Sequence, residues 1–182
     1  MITKRTMLLG LGGLICVAGA RPARAALPPV SMERHEQAMR LAIAQGKKNP
    51  YYPYGAVIIE ASTGAVVAEG ANNSSANPIL HGEIACMNDY VAKHGNKDWD
   101  SKILYTTSEP CPMCITALIW AKIGGVVFAS SAFSPALVAS IGEPIKISAQ
   151  DVINAETYHK PMLLGGVLAS ETDAMFANRK RY

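Results

Sequence analysis

ILYTTSEPCPMCITALIWAKIGGVVFA, residues 103–129, is the stretch on which the reading of the fold turns. Ile103 to Thr107 has the composition of a short buried strand. Pro112 to Lys122 follows as a helix with proline in its first turn, and Gly125 to Ala129 as a second strand. Strand, helix and strand within so short a span predict two parallel strands joined by a crossover.

Working outward, the elements before this unit have a different character. Ser31 to about Gln45 has helical periodicity, with Ala38, Met39, Ala42 and Ile43 on one face, Ser31 as the N-cap and Gly46 as the stop. Ala56 to Ala61 and Ala65 to Glu69, separated by Ser62-Thr63-Gly64, predict a hairpin, so its strands pair antiparallel. Asn72 to Pro78 is loop, and His81 to about Lys93 can form a helix. Beyond residue 129, Ser134 to Glu143 is ambiguous. A short helix is expected near Ser148 to Glu156, a strand at Met162 to Leu168, and a last helix from Glu171 with Ser170 as its cap. The sum is an α/β fold, a mixed sheet covered by helices on both faces.

The ends of the chain shape what it can bind. Lys4-Arg5, an apolar run from Met7 to Ala20 and Ala23-Arg24-Ala25 have the form of a secretory signal peptide, cleaved after Ala25. Residues 1–25 are therefore expected to be a signal and 26–182 the functional domain, with no membrane association once the signal is gone. Thr3 to Leu9 weakly resembles a twin-arginine signal, and the expected location is the bacterial periplasm. Of 17 basic and 14 acidic residues, that segment holds four basic and none acidic, which leaves the remainder at −1. Such a chain lacks the basic surplus of a phosphate binder, so nucleic acid is an unexpected partner. Arg179-Lys180-Arg181 is its only basic cluster and reads as a solvated tail.

The chemistry sits at two helix starts. Cys111 and Cys114 lie three apart at the head of a helix, so both sulfurs share one face. The pair suits a redox dithiol, a structural zinc site or a catalytic zinc site. The first wants a thioredoxin-like setting, and the second two further ligands that the sequence does not pair up. The third needs one more ligand, and His81, heading its own helix, can supply it. Glu83, two residues on, is then free to meet a metal-bound water. H-x-E followed by P-C-x-x-C matches the zinc-deaminase signature.

With these motifs in hand, the chain resembles the cytidine-deaminase-like superfamily. The likeness is carried by Tyr54 to Ile58, Glu69 to Asn72, Leu80 to Ile84, Leu104 to Thr107, Ser108 to Cys114 and Ile119 to Ala121. Within it, the chain is similar to the branch of guanine, fungal-type cytosine and tRNA adenosine deaminases. The resemblance implies a three-layer α/β/α sandwich around a mixed five-stranded sheet, a homodimer, and Zn2+ held by His81, Cys111 and Cys114. It also implies that Glu83 is the proton carrier, that Asn72 hydrogen-bonds the base or its sugar, and that Tyr54 lines the pocket. The implied reaction is hydrolytic deamination of a small base or nucleoside.

Trp120 is expected to pack in the core, Cys86 to be a small buried residue, and His35, His94 and His159 to sit at the surface or at helix ends. The substrate signals diverge. The wording E-P-C-P-M-C with I-W-A favours guanine, whereas L-H-G-E-I and L-Y-T-T echo cytosine deaminases. Guanine deaminases typically add an acid after the fourth strand or near the C-terminus. No Asp or Glu lies between Glu109 and Glu143, which leaves Glu171 or Asp173 to supply it.

Overall fold

The computed structural model describes residues 27–181. In chain order the elements are α1 (Met32–Gly46), β1 (Gly55–Glu60), β2 (Val66–Ala71), α2 (Gly82–His94) and β3 (Lys102–Ser108). They continue with α3 (Pro112–Ala121), β4 (Gly125–Ser130), α4 (Pro135–Ile141), α5 (Ala149–Ala155), β5 (Met162–Leu164) and α6 (Ala169–Ala177). One mixed sheet has the order β2-β1-β3-β4-β5. Its β1 pairs antiparallel with β2 and β3, while β3/β4 and β4/β5 are parallel. The crossover unit thus forms as the sequence predicts, with α3 carrying the chain from β3 to β4.

Side chains of a strand alternate between faces, and here both faces are covered. Ala56 and Ile58 of β1 face a core completed by Cys86 and Tyr90 of α2, Ile115, Leu118 and Ile119 of α3, and Ile153 of α5. Val57 and Ile59 face the other way, onto Met39, Ala42 and Ile43 of α1 with Tyr105 and Val127. This is the expected three-layer sandwich.

Two loops position the future pocket. Asn49 Oδ1 accepts from the Tyr51 and Tyr52 amides, and its Nδ2 donates to the Asn72 carbonyl at 2.9 Å. Thr107 Oγ1 donates to the Pro53 carbonyl and accepts from the Gly55 amide, which ties this loop to the end of β3. α2 reaches the loop because residue 82 is glycine: a Cβ there would lie 2.8 Å from the Tyr54 carbonyl oxygen.

Several expectations change. The last helix starts at Ala169, with Leu168 at its N-cap in the left-handed region (φ 56°), so Ser170 is inside the helix and does not cap it. β5 stops at Leu164. The ambiguous Ser134–Glu143 stretch contains α4, whose cap is the Ser134 hydroxyl accepting from the Leu137 amide. Trp120 is 68% exposed, against the ring of Tyr158, where core packing was expected. α3 carries no charged side chain, so periodicity alone does not tell its buried face from its exposed one. His35 and His159 are buried, His35 against the Tyr105 hydroxyl at 2.9 Å and His159 against the Ile123 carbonyl at 2.7 Å. Cys86 is buried as expected. The signal-peptide reading of residues 1–25 lies outside the described residues.

Candidate active site

Two helix N-termini meet at one point. His81 is the N-cap of α2 and Cys111 the N-cap of α3, and neither side chain caps its own helix. Both are turned outward, toward each other. Pro112 occupies the first helical position, where its missing N–H costs nothing, and fixes the direction in which α3 leaves β3. Cys114 follows one turn later, which brings the two sulfurs together.

The Cys111 and Cys114 sulfurs each lie 3.7 Å from His81 Nδ1, and the three donor atoms are all within 4.8 Å of one another. A tetrahedral zinc with its usual Zn–N and Zn–S bonds separates a nitrogen from a sulfur donor by roughly 3.6 Å. One imidazole and two thiols at this spacing fit zinc, and three protein ligands leave a fourth position for water or substrate.

The protonation pattern matches a paired-thiol site. The Cys111 thiol is pulled down to about 4, first by its hydrogen bond with Cys114 and, against the cost of burial, by His81. Cys114 is pushed up by the same bond, by burial and by Glu83 nearby. His81 is raised, chiefly by its contact with Cys111. The positive end of the α3 dipole further favours thiolate at both positions.

Glu83 is 3% exposed, and Thr106 Oγ1 donates to its Oε1 at 3.3 Å. Burial raises its carboxyl above the ordinary range. It lines a pocket of about 510 Å³ together with Tyr54, Asn72, His81 and Cys111. The residues singled out from the sequence are therefore gathered in one place. Asn72 is buried, with its side chain bonded to both the hydroxyl and the amide of Ser74, while its own amide donates to the Tyr54 carbonyl. Tyr54 packs its ring on Phe176 at 4.9 Å.

The C-terminal acids do not join them. Asp173 accepts from the Ser134 hydroxyl at 3.0 Å, and Glu171 faces Arg40 at 4.0 Å; neither lines the pocket. The second carboxylate in the lining is Glu109, which the sequence shows only as part of a motif. Its Oε2 accepts from the Ser131 hydroxyl and the Ala132 amide, and its Oε1 from the Ala149 amide. The available signal was an acid directly after a wholly buried strand, since such a group must find donors.

Residues 32–130, more than half of the chain, match the family described as the cytidine and deoxycytidylate deaminase zinc-binding region. Over 80 residues the chain is 41% identical to the guanine deaminase of Bacillus subtilis, a match that takes in 43% of this chain and 50% of that protein. It is 28% identical over 151 residues to the tRNA-specific adenosine deaminase of the same organism, covering 80% of this chain and 88% of the relative. The guanine deaminase structure from Nitrosomonas europaea shares the fold with a TM-score of 0.65 at 21% identity, over 98% of this chain and 99% of that one. These relatives overturn the expectation of a periplasmic enzyme exported by the twin-arginine route: the proteins that the chain resembles are a guanine deaminase and a tRNA-specific adenosine deaminase.

Proposed function

Because the chain belongs to the cytidine and deoxycytidylate deaminase zinc-binding family, we propose that it is a hydrolytic deaminase that releases ammonia from a free nucleobase or nucleoside, with guanine favoured. The observation that carries this reading is the convergence of His81, Cys111 and Cys114 beside the buried Glu83 carboxylate in a pocket of about 510 Å³. When bound, zinc supplies Lewis-acid activation of water at neutral pH. His81, through Nδ1, and the two cysteines, as thiolates, are the residues to hold it.

Glu83 is the group placed to move protons. Its carboxylate takes a proton from water, gives it to the ring nitrogen beside the amine-bearing carbon, and assists departure of the amine as ammonia. Thr106 Oγ1, donating to Oε1, fixes the rotamer and leaves Oε2 for this work. Asn72 and Tyr54 are assigned to the base, the amide of Asn72 exchanging its Ser74 partners for ring heteroatoms and Tyr54 forming an apolar wall. The low-polarity surroundings of Glu83 strengthen each of these contacts. Guanine is favoured by the 41% identity to the Bacillus subtilis guanine deaminase, half of which the match spans.

Adenosine-type deamination is the second reading, favoured by the match over 88% of the tRNA-specific adenosine deaminase and by Glu109, whose oxygens are already engaged by three donors. The homodimer belongs to the same proposal, and its mass is measurable by light scattering.

The test is to incubate the zinc-loaded protein with guanine, cytosine, adenine, their nucleosides and an RNA anticodon stem-loop, and to measure ammonia. Release from guanine alone supports the first reading, and release from adenosine or the stem-loop the second. A protein that binds one zinc and deaminates none of them is a zinc-binding module instead of an enzyme.

A further inference from the structure

Arg179, at first sight part of a solvated basic tail, is built into the protein. Its Nη1 donates to the Tyr51 carbonyl at 2.8 Å, 128 residues away in sequence. Its Nη2 donates to the Ser140 carbonyl at 2.6 Å and its Nε to the Ser140 hydroxyl at 2.8 Å. The guanidinium carbon also sits 5.4 Å from the centre of the Tyr52 ring. Ser140 is the next-to-last residue of α4, so the cation meets the helix at its negative end.

These contacts join two walls of one pocket. Tyr52 and Tyr54 line it from the loop before β1, and Leu137 and Ile141 line it from α4. The neighbouring backbone makes the same connection, because the Lys180 amide donates to the Pro50 carbonyl and the Ser140 hydroxyl to the Phe176 carbonyl. Phe176 in turn carries the Tyr54 ring. A planar five-donor fork can hold two carbonyls and a hydroxyl at once while stacking on an aromatic face, which a lysine ammonium cannot do.

All the acceptors are protein oxygens, and with a further bond from Nη1 to the Lys180 carbonyl at 3.4 Å four of the five N–H donors of the fork are engaged. This is the pattern of a group that locates other residues and not of one that acts on substrate. We propose that Arg179 is a positioning residue which locks α4 against the Tyr51–Tyr54 loop and thereby sets the width of the pocket and its affinity for substrate. The affinity part rests on the reading of this pocket as the deaminase site; the locking part does not. Among the described residues the fixed element is the α2–α3 floor, and Arg179 touches none of it, so its loss acts on the wall alone.

The experiment compares the full-length, zinc-loaded wild type with Arg179→Ala and Arg179→Lys. Amide hydrogen exchange of residues 49–54 and 135–147 is measured alongside zinc content, and KM and kcat are taken on the base that the wild type deaminates. Arg179→Ala should speed exchange in those two segments while leaving α2 and α3 unchanged and zinc stoichiometric. KM should rise roughly tenfold with kcat within about twofold, as expected when binding is lost without loss of the reacting geometry. Arg179→Lys should fall between. Unchanged exchange in both segments overturns the proposal, and so does faster exchange throughout the chain with zinc and kcat falling together. If the wild type deaminates no base in the panel, the functional reading fails, and the exchange comparison still decides whether Arg179 locks the wall.

Discussion

The floor and the wall of the pocket are assembled in different ways. On the floor, His81, Glu83, Cys111 and Cys114 come from the first turns of α2 and α3, and their positions follow from helix geometry within two short segments. The wall, residues 131–149, contributes Ala132, Leu137, Ile141, Pro144 and Ile145, and it is seated from outside itself. Glu109 grips both its ends, at Ala132 and Ala149, and Arg179 grips α4 in its middle. Local geometry is robust to change elsewhere, whereas a wall held by a few distant contacts moves when any one of them is lost. On the proposed function, chemistry therefore belongs to the floor and fit to the wall.

The largest effect that would break this division lies at Glu83. Glu83→Gln preserves shape and every zinc ligand, so zinc content and melting temperature should stay at wild-type values while kcat falls by about 10²–10⁴. A variant that lost zinc along with activity would show that the floor is not independent of this carboxylate.

Glu109→Ala tests the wall from its ends. It leaves the Ser131 hydroxyl and the Ala132 and Ala149 amides without their acceptor, at roughly 1–3 kcal/mol for each that stays buried and unpaired. The melting temperature should drop by several degrees, since about 1 kcal/mol moves a domain of this size by roughly 2–4 °C. Glu109→Gln, which can still accept at one oxygen, should recover part of the loss. Zinc content equal to wild type in both variants is the expected sign that only the wall was disturbed.

Gly82→Ala sharpens the boundary between the two regions. The added methyl would press on the Tyr54 carbonyl, which also accepts from the Asn72 amide, so both residues assigned to the base would shift together. A few-fold rise in KM with little change in kcat is expected, and steady-state kinetics on the preferred base measure it. An equal fall in kcat would place residue 82 with the floor.

The smallest effect is expected at His35, on the far face of the sheet. Burial, then the nearby Arg34 charge, lowers its pKa from the ordinary 6.5. Between that lowered value and 6.5 the unfolded chain binds the extra proton, so stability rises with pH there. The contribution is fully present above about pH 6.5 and is lost as pH falls through the folded-state value. Urea midpoints of His35→Gln should accordingly depend less on pH below 6.5 than those of the wild type, and activity at neutral pH should be unchanged.

The sequence by itself determined the crossover unit, the hairpin and the two helix starts that bear His81, Glu83, Cys111 and Cys114. Each of these depends on neighbours a few residues away, through periodicity, proline at a first turn, and i,i+3 spacing. Only the tertiary structure decided which charges and rings are inside. Arg179 lies in a cluster with Lys180 and Arg181 and differs from them solely because the Tyr51 carbonyl and Ser140 lie within its reach. Glu109, His35 and Trp120 follow the same rule: two are buried because donors or a phenol wait for them across the fold, and one lies exposed against the ring of Tyr158. The physical reason is that the solvation of a polar or aromatic side chain is set by partners distant in sequence, which local composition does not encode.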